Sequence, residues 1–325
     1  MDTSFRFSRC IYCYCLILGI FSLLADSVWA IDSVQNKTWS PGFIVDLFSF
    51  MLAYVMWTVM AVELIRQKQG FEEVITELEK TDTFLQNPKY DATFYLIPLF
   101  LAVVANLTEK VIVAIDYKSF FEGIVYYLYM SPIVMFSSQY FFLMAVASDQ
   151  MSYLTAQLRM TYRPWHFNDL ITIHKRLCDT ANKINSIYSI HLLIITSIPF
   201  IINTLKIYSA IMCVIRPGDY DDDFLLAENI FHVIMNSIVL WCLVHSSSSV
   251  QGKARKFNIE LLTILLDGNK IGDECDFQQY LSMEWNVKPT ACGFYNIGYP
   301  LLTSTLTGYL TLITYLLQLT GSTIK

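Results

Sequence analysis

Long apolar runs alternate with shorter polar and charged segments along this chain. With about 17–25 residues needed to cross a bilayer core, the runs amount to seven spans, near 10–31, 43–65, 92–115, 121–147, 187–212, 228–250 and 295–319. Asn106, Glu109 and Lys110 interrupt the third, so its apolar part ends near Thr108. Pro132 and Pro199 sit inside the fourth and fifth and predict kinks.

The final run, from Ala291-Cys292-Gly293-Phe294 to Gln318-Leu319, reads as one hydrophobic helix carrying a polar stripe. Turned 100° per residue, Ser304, Thr307, Gly308, Thr311, Thr314, Tyr315 and Gln318 share a sector of about 120°. Leu302, Leu306, Leu310, Ile313 and Leu317 fall on the other side. Hydroxyls and amides in hydrocarbon need partners, so the stripe faces protein or water. Two arrangements satisfy that need. Either the stripe lines a water path, or its hydroxyls bond back to their own helix and its neighbours.

The segments between spans are patterned too. Phe71, Val74, Ile75 and Leu78 recur at helical spacing among Glu72, Glu73, Glu77 and Glu79, which predicts an amphipathic helix. Leu170, Ile171, Leu177, Ile184 and Ile187 continue without Gly or Pro into the fifth span, and Val250–Leu266 prolongs the sixth. Helices of this length project beyond the bilayer and supply a packed anchor bundle with material for subunit contacts. Gly268-Asn269-Lys270-Ile271-Gly272-Asp273 then breaks the helical pattern.

Composition agrees with a polytopic membrane protein: 54% of the 325 residues are hydrophobic and only 15% charged. The fold class is therefore all-α, a single seven-helix transmembrane domain over 1–325. The segments 1–9, 66–91, 148–186 and 251–294 hold 16 of the 22 Lys and Arg. That bias predicts a cytoplasmic N-terminus, an extracellular C-terminus and cytoplasmic helical loops, the inverse of the G-protein-coupled receptor arrangement. The sequon Asn36-Lys37-Thr38 and the run Asp219-Tyr220-Asp221-Asp222-Asp223 then fall outside. A cleaved signal peptide ending at Ser27-Val28-Trp29-Ala30 is a rival reading of the first run. No basic recognition segment suggests nucleic acid.

Candidate ligand contacts are polar and aromatic residues in the outer halves of spans two to six. They are Asp46, Phe50, Asn106, Glu122, Tyr126, Tyr129, Asn203, Asn229, His232 and Asn236. A carboxylate at bilayer depth is costly and faces a wet or paired site; for Asp46 the structural alternative is a pair with Lys206. His232 equally reads as a packed polar residue, and the tyrosines as an interfacial belt. Aromatics mixed with amides suit sugars and bitter alkaloid-like compounds alike. The five His are scattered without metal spacing and no nucleophile elbow or phosphate loop is present. An enzyme, a metal and a cofactor are not expected. The eight Cys show no disulfide framework.

Thr290-Ala291-Cys292-Gly293-Phe294-Tyr295-Asn296-Ile297, then Leu301-Leu302, and Thr311 with Gln318 seven residues on, resemble the C-terminal signature of insect gustatory receptors. Lys183-Ile184-Asn185-Ser186-Ile187-Tyr188 before Leu192-Leu193 is similar to the start of that family's fifth span. Leu312 and Leu319 stand where the signature has Tyr and Phe, and a Thr314-Tyr315 pair sits three residues late. The resemblance implies a ligand-gated, non-selective cation channel of four subunits, homomeric or heteromeric, whose seventh helices form the pore. Its partners would be a small tastant, permeating cations and membrane lipids, and its place the plasma membrane, on a sensory dendrite. Thr311, Thr314, Tyr315, Gln318 and Leu319 would then line the pore or gate, the resemblance favouring a pore over helix back-bonding. The alternatives are an odorant-receptor-like subunit, a G-protein-coupled receptor or a transporter.

Overall fold

The computed structural model describes residues 65–85, 120–160, 165–215, 223–266 and 285–322, with isolated positions between 55 and 63. The chain divides into two compact units, one of Met1–Arg66 with Ala102–Val134 and one of Gln67–Leu101 with Met135–Lys325. In the first, Arg66 Nε lies 3.1 Å from Glu63 Oε2, and Met60 and Ile133 are fully buried. The expected spans at 10–31 and 92–115, and most of 43–65, lie outside the described residues.

Five helices carry the described chain: α1 (Lys68–Leu85), α2 (Phe120–Met160), α3 (Trp165–Ile215), α4 (Asp223–Leu266) and α5 (Tyr299–Ser322). Among the described residues, three segments are long and apolar enough to cross a membrane: Asn168–Met212, Asn229–Ile264 and Tyr299–Gln318. The 51 residues of α3 reach about 76 Å at 1.5 Å per residue, against a hydrocarbon core of about 30 Å. More than half of α3 must therefore project beyond the bilayer, and the 44 residues of α4 project for the same reason. Pro199 lies within α3 without ending it. It removes the N–H that would bond the carbonyl of Ile195, and its ring crowds that carbonyl.

In the second unit, the projecting ends pack into a helical bundle. α1 buries Val74, Leu78, Thr81 and Leu85, one stripe at spacings of four, three and four. A Cβ on Gly70 would come 3.3 Å from Ile187 Cδ1, so α1 lies close against α3. Gln150 of α2 donates from Nε2 to the Leu78 carbonyl at 3.0 Å. Between α3 and α4 the fully buried His174 ring stacks on Phe257, centroids 4.2 Å apart. Ion pairs Lys183–Glu73, Arg159–Glu260 and Lys253–Asp149 ring this core. Each is partly exposed, so they set alignment more than stability.

The pattern predicts an unbroken helix through residues 291–298, and here the structure differs. Thr290–Ala291 (β1) and Tyr295–Asn296 (β2) pair antiparallel, Thr290 with Asn296 and Ala291 with Tyr295. The reversal is made by Cys292 and Gly293, with φ of 51° and 76°. Only glycine adopts that region freely, which is why a Cys-Gly pair marks a turn and not a helical step. This hairpin is the departure from the all-helical expectation among the described residues, and α5 begins at Tyr299.

Candidate functional site

α5 has no acidic residue in its first turn, so what precedes it must hold its start. Asn185 Oδ1 accepts from the Thr290 N–H at 3.1 Å, and Asn182 Oδ1 from that of Lys288 at 3.2 Å. Asn258 Nδ2 donates to the Trp285 carbonyl at 3.1 Å. The hairpin's Tyr295 hydroxyl bonds with that of Thr196, and the Tyr299 hydroxyl with His245 Nδ1 at 3.0 Å. The root of α5 is thus fastened to both α3 and α4.

Halfway along α5, one face is packed. Phe200 of α3 stacks on Tyr309, centroids 4.9 Å apart and planes 13° from parallel. Gly308 makes room for that ring: a Cβ there would sit 2.9 Å from Phe200 Cζ. Ile313, one turn on, is buried. Leu302, Thr305, Tyr309, Ile313 and Leu316 are covered to differing degrees and lie on one side of the helix. The sector holding Ser304, Thr307, Thr311, Thr314 and Gln318 is centred about 180° from them, and all five are exposed. The two most exposed leucines, Leu306 at 60% and Leu310 at 62% exposure, lie between the packed face and the polar sector.

The hydroxyls of that sector do bond back to their own helix. Ser304 donates to Pro300 O at 3.0 Å, Thr307 to Thr303 O and Thr311 to Thr307 O at 2.9 Å, and Thr314 to Leu310 O at 2.7 Å. Of the two arrangements left open by the sequence, back-bonding to the same helix is the one observed. Each hydroxyl proton is used within α5, while the side chains stay exposed among the described residues and each oxygen keeps acceptor capacity. Such a face in a membrane-crossing helix needs water or another chain.

A buried polar chain connects the packed face to α4. Asn236 Nδ2 donates to Asn203 Oδ1 at 2.7 Å, and Asn203 Nδ2 to the Tyr309 hydroxyl at 3.1 Å. Asn203 is 1% and Asn236 3% exposed. Two turns earlier on α4, Asn229 Nδ2 donates to Ser209 Oγ at 3.4 Å. Losing one member would strand buried donors or acceptors, at about 1–3 kcal/mol each. Nearer the projecting end, α2 joins α4 through Tyr140 OH and Ser247 Oγ at 2.8 Å and through Ser148 and Ser249 at 3.0 Å.

Of the sequence candidates, Asn203, Asn229, His232 and Asn236 are all buried where α3 meets α4, and Asn203 and Asn236 touch. Asp46, Phe50 and Asn106 lie outside the described residues, and with Asp46 its suggested pairing with Lys206. Glu122, Tyr126 and Tyr129 fall in the N-terminal part of α2, within the first unit. Thr311, Thr314, Tyr315 and Gln318 are exposed on α5, whose last turn contains Leu319. Tyr309 and Phe200 escaped the sequence reading. A tyrosine on the apolar side of α5, opposite the polar stripe, was the available signal. Among the described residues no group of His, Cys, Asp and Glu is placed to hold a metal ion.

A family model described as 7tm chemosensory receptor matches residues 2–320. The insect olfactory receptor OR5 from Machilis hrabei has a similar fold: TM-score 0.62 at 12% identity, covering 98% of this chain and 90% of that one. The same receptor in complex with eugenol matches with TM-score 0.68 at 12% identity, covering 98% and 92%. No curated protein sequence matches the chain.

Proposed function

The chain belongs to the 7tm chemosensory receptor family, and from that premise we propose that it is a gustatory-type subunit of a ligand-gated, non-selective cation channel. Four copies, or this chain with related subunits, would each contribute α5 to a central pore, in a plasma membrane with the N-terminus cytoplasmic. The observation that carries this reading is the exposed hydroxyl and amide face of α5, set opposite the face packed on α3. Symmetric assembly turns such a face toward a common axis, where water satisfies the free oxygens and cations find acceptors. The exposed leucines beside it then meet neighbouring subunits or lipid.

Thr311, Thr314, Tyr315 and Gln318 line the outer pore on this reading, with Leu319 supplying an apolar constriction that closes by dewetting. The ligand is a small tastant, a sugar or a bitter compound, bound near Asn203, Asn229, His232 and Asn236. Asp46, Phe50, Asn106, Glu122, Tyr126 and Tyr129 are proposed as ligand contacts on the sequence reading alone. Opening follows if ligand binding shifts α4 or α3, because Asn203 and Phe200 grip Tyr309. An olfactory-type subunit is the second reading, favoured by Leu312 and Leu319 where the gustatory signature has Tyr and Phe. The relative from Machilis hrabei was solved with eugenol, which supports a small organic ligand for either subtype.

The test is whole-cell recording from cells that express this chain alone, with G-protein signalling blocked. Ligand-evoked current is expected from a panel of sugars and bitter compounds. Gln318→Ala is expected to alter basal current or ion selectivity at unchanged surface expression. Identical currents in wild type and variant would remove α5 from the pore.

A further inference from the structure

The amide chain from Asn236 to Tyr309 ends, on its α4 side, in an acceptor that no described residue satisfies. Asn236 Nδ2 is engaged by Asn203, yet its Oδ1 is buried with no hydrogen-bond partner among the described residues. The same holds for Asn229, whose Nδ2 meets Ser209 while its Oδ1 has no such partner. Seven residues separate the two, so they share one face of α4 about 10.5 Å apart along its axis. A native interior seldom leaves two amide oxygens unpaired along one helix face without a guest to supply the donors.

We infer that Asn236 Oδ1, with Asn229 Oδ1 as a second acceptor, takes a hydrogen bond from a neutral hydroxyl of the ligand, and that this contact reaches α5 through Asn203 and Tyr309. The inference rests on the ligand-gated reading above and names the chemistry that its ligand must bring. Ethers, carbonyls and carboxylates would set lone pair against lone pair. An ammonium could donate, but it would carry a full charge into a membrane-embedded helix interface, which is far costlier than bringing an uncharged hydroxyl there. An alcohol, phenol or sugar hydroxyl donates without charge. Once bound, it polarises an amide whose own N–H already holds Asn203, and Asn203 in turn holds Tyr309 on the packed face of the pore helix.

Matched pairs test this: phenol and anisole, benzyl alcohol and benzyl methyl ether, glucose and its permethylated form. Thermal stability of the purified, detergent-solubilised full chain is read first, and evoked current second. The hydroxyl member of at least one pair is expected to raise the melting temperature while its ether does not. Asn236→Leu should abolish that difference, with apparent affinity falling roughly tenfold, the size of one lost hydrogen bond. Asn229→Leu, which leaves the Asn236–Asn203–Tyr309 chain whole, should weaken glucose, whose several hydroxyls can reach both acceptors, without changing its permethylated form, and serves if Asn236→Leu does not fold. Equal responses to both members of every pair, or none, overturn the inference, and so does an Asn236→Leu change that shifts both members alike. Selective stabilisation without current leaves the hydroxyl site standing and removes the channel. Current evoked equally by ethers leaves the channel and removes the hydroxyl site.

Discussion

Replacing Gly308 by alanine sets two effects of known sign against each other. Helix propensity favours alanine by about 1 kcal/mol within a helix such as α5. The new methyl group, however, falls 2.9 Å from Phe200 Cζ and 3.0 Å from Cε2, where ordinary contact begins near 3.4 Å. Relief requires a shift of about 0.5 Å by α5 or by a ring already stacked on Tyr309. Overpacking of this kind costs about 1–3 kcal/mol, so the clash wins by about 1 kcal/mol on average and the melting temperature falls by roughly 1–2 °C. The same substitution in a Phe200→Leu background removes the opposing atoms and leaves the propensity gain. Gly308→Ala should therefore destabilise the wild-type chain and be neutral or stabilising in Phe200→Leu, a coupling that thermal melts of the four proteins measure. If Gly308→Ala raises the melting temperature of the wild type, the close approach of α5 to α3 does not govern this contact.

Two further outcomes are expected. Tyr309→Phe strands Asn203 Nδ2 and should cost about 1–3 kcal/mol; Asn203→Leu strands Asn236 Nδ2, and the double variant should lose less than the sum of the two single losses; strictly additive losses in melts and in half-maximal ligand concentration would show that the two do not act together. Gly293→Ala places a side chain at φ 76° and should destabilise by about 1–2 kcal/mol, whereas Cys292→Gly, at φ 51°, should stabilise slightly; equal melting temperatures for both variants would contradict the observed turn.

Much of the fold was legible because hydrophobic periodicity is a local property. The stripe of α1 and the extension of α3 and α4 beyond the bilayer follow from spacing alone. The hairpin before α5 was not legible: residues 290–298 are apolar enough to continue a helix, and only the positive φ at Cys292 and Gly293 reveals the reversal. Of the pocket candidates, four prove buried where α3 meets α4, since uncharged amides at bilayer depth must find partners. Which partners they find depends on helix rotation, and sequence spacing says nothing about rotation between helices.

The stripe of α5 separates the two kinds of knowledge. Sequence by itself determined that Ser304, Thr307, Thr311, Thr314 and Gln318 share one face, because 100° per residue is a property of any α-helix. Tertiary structure decided where that face points. Phe200 against Gly308 and Tyr309, with Asn203 on the Tyr309 hydroxyl, fixes the opposite side of α5 to α3, and these contacts join residues roughly a hundred positions apart in the chain. Only packing at that distance in sequence can choose which side of a helix is buried, and so leave the polar side uncovered.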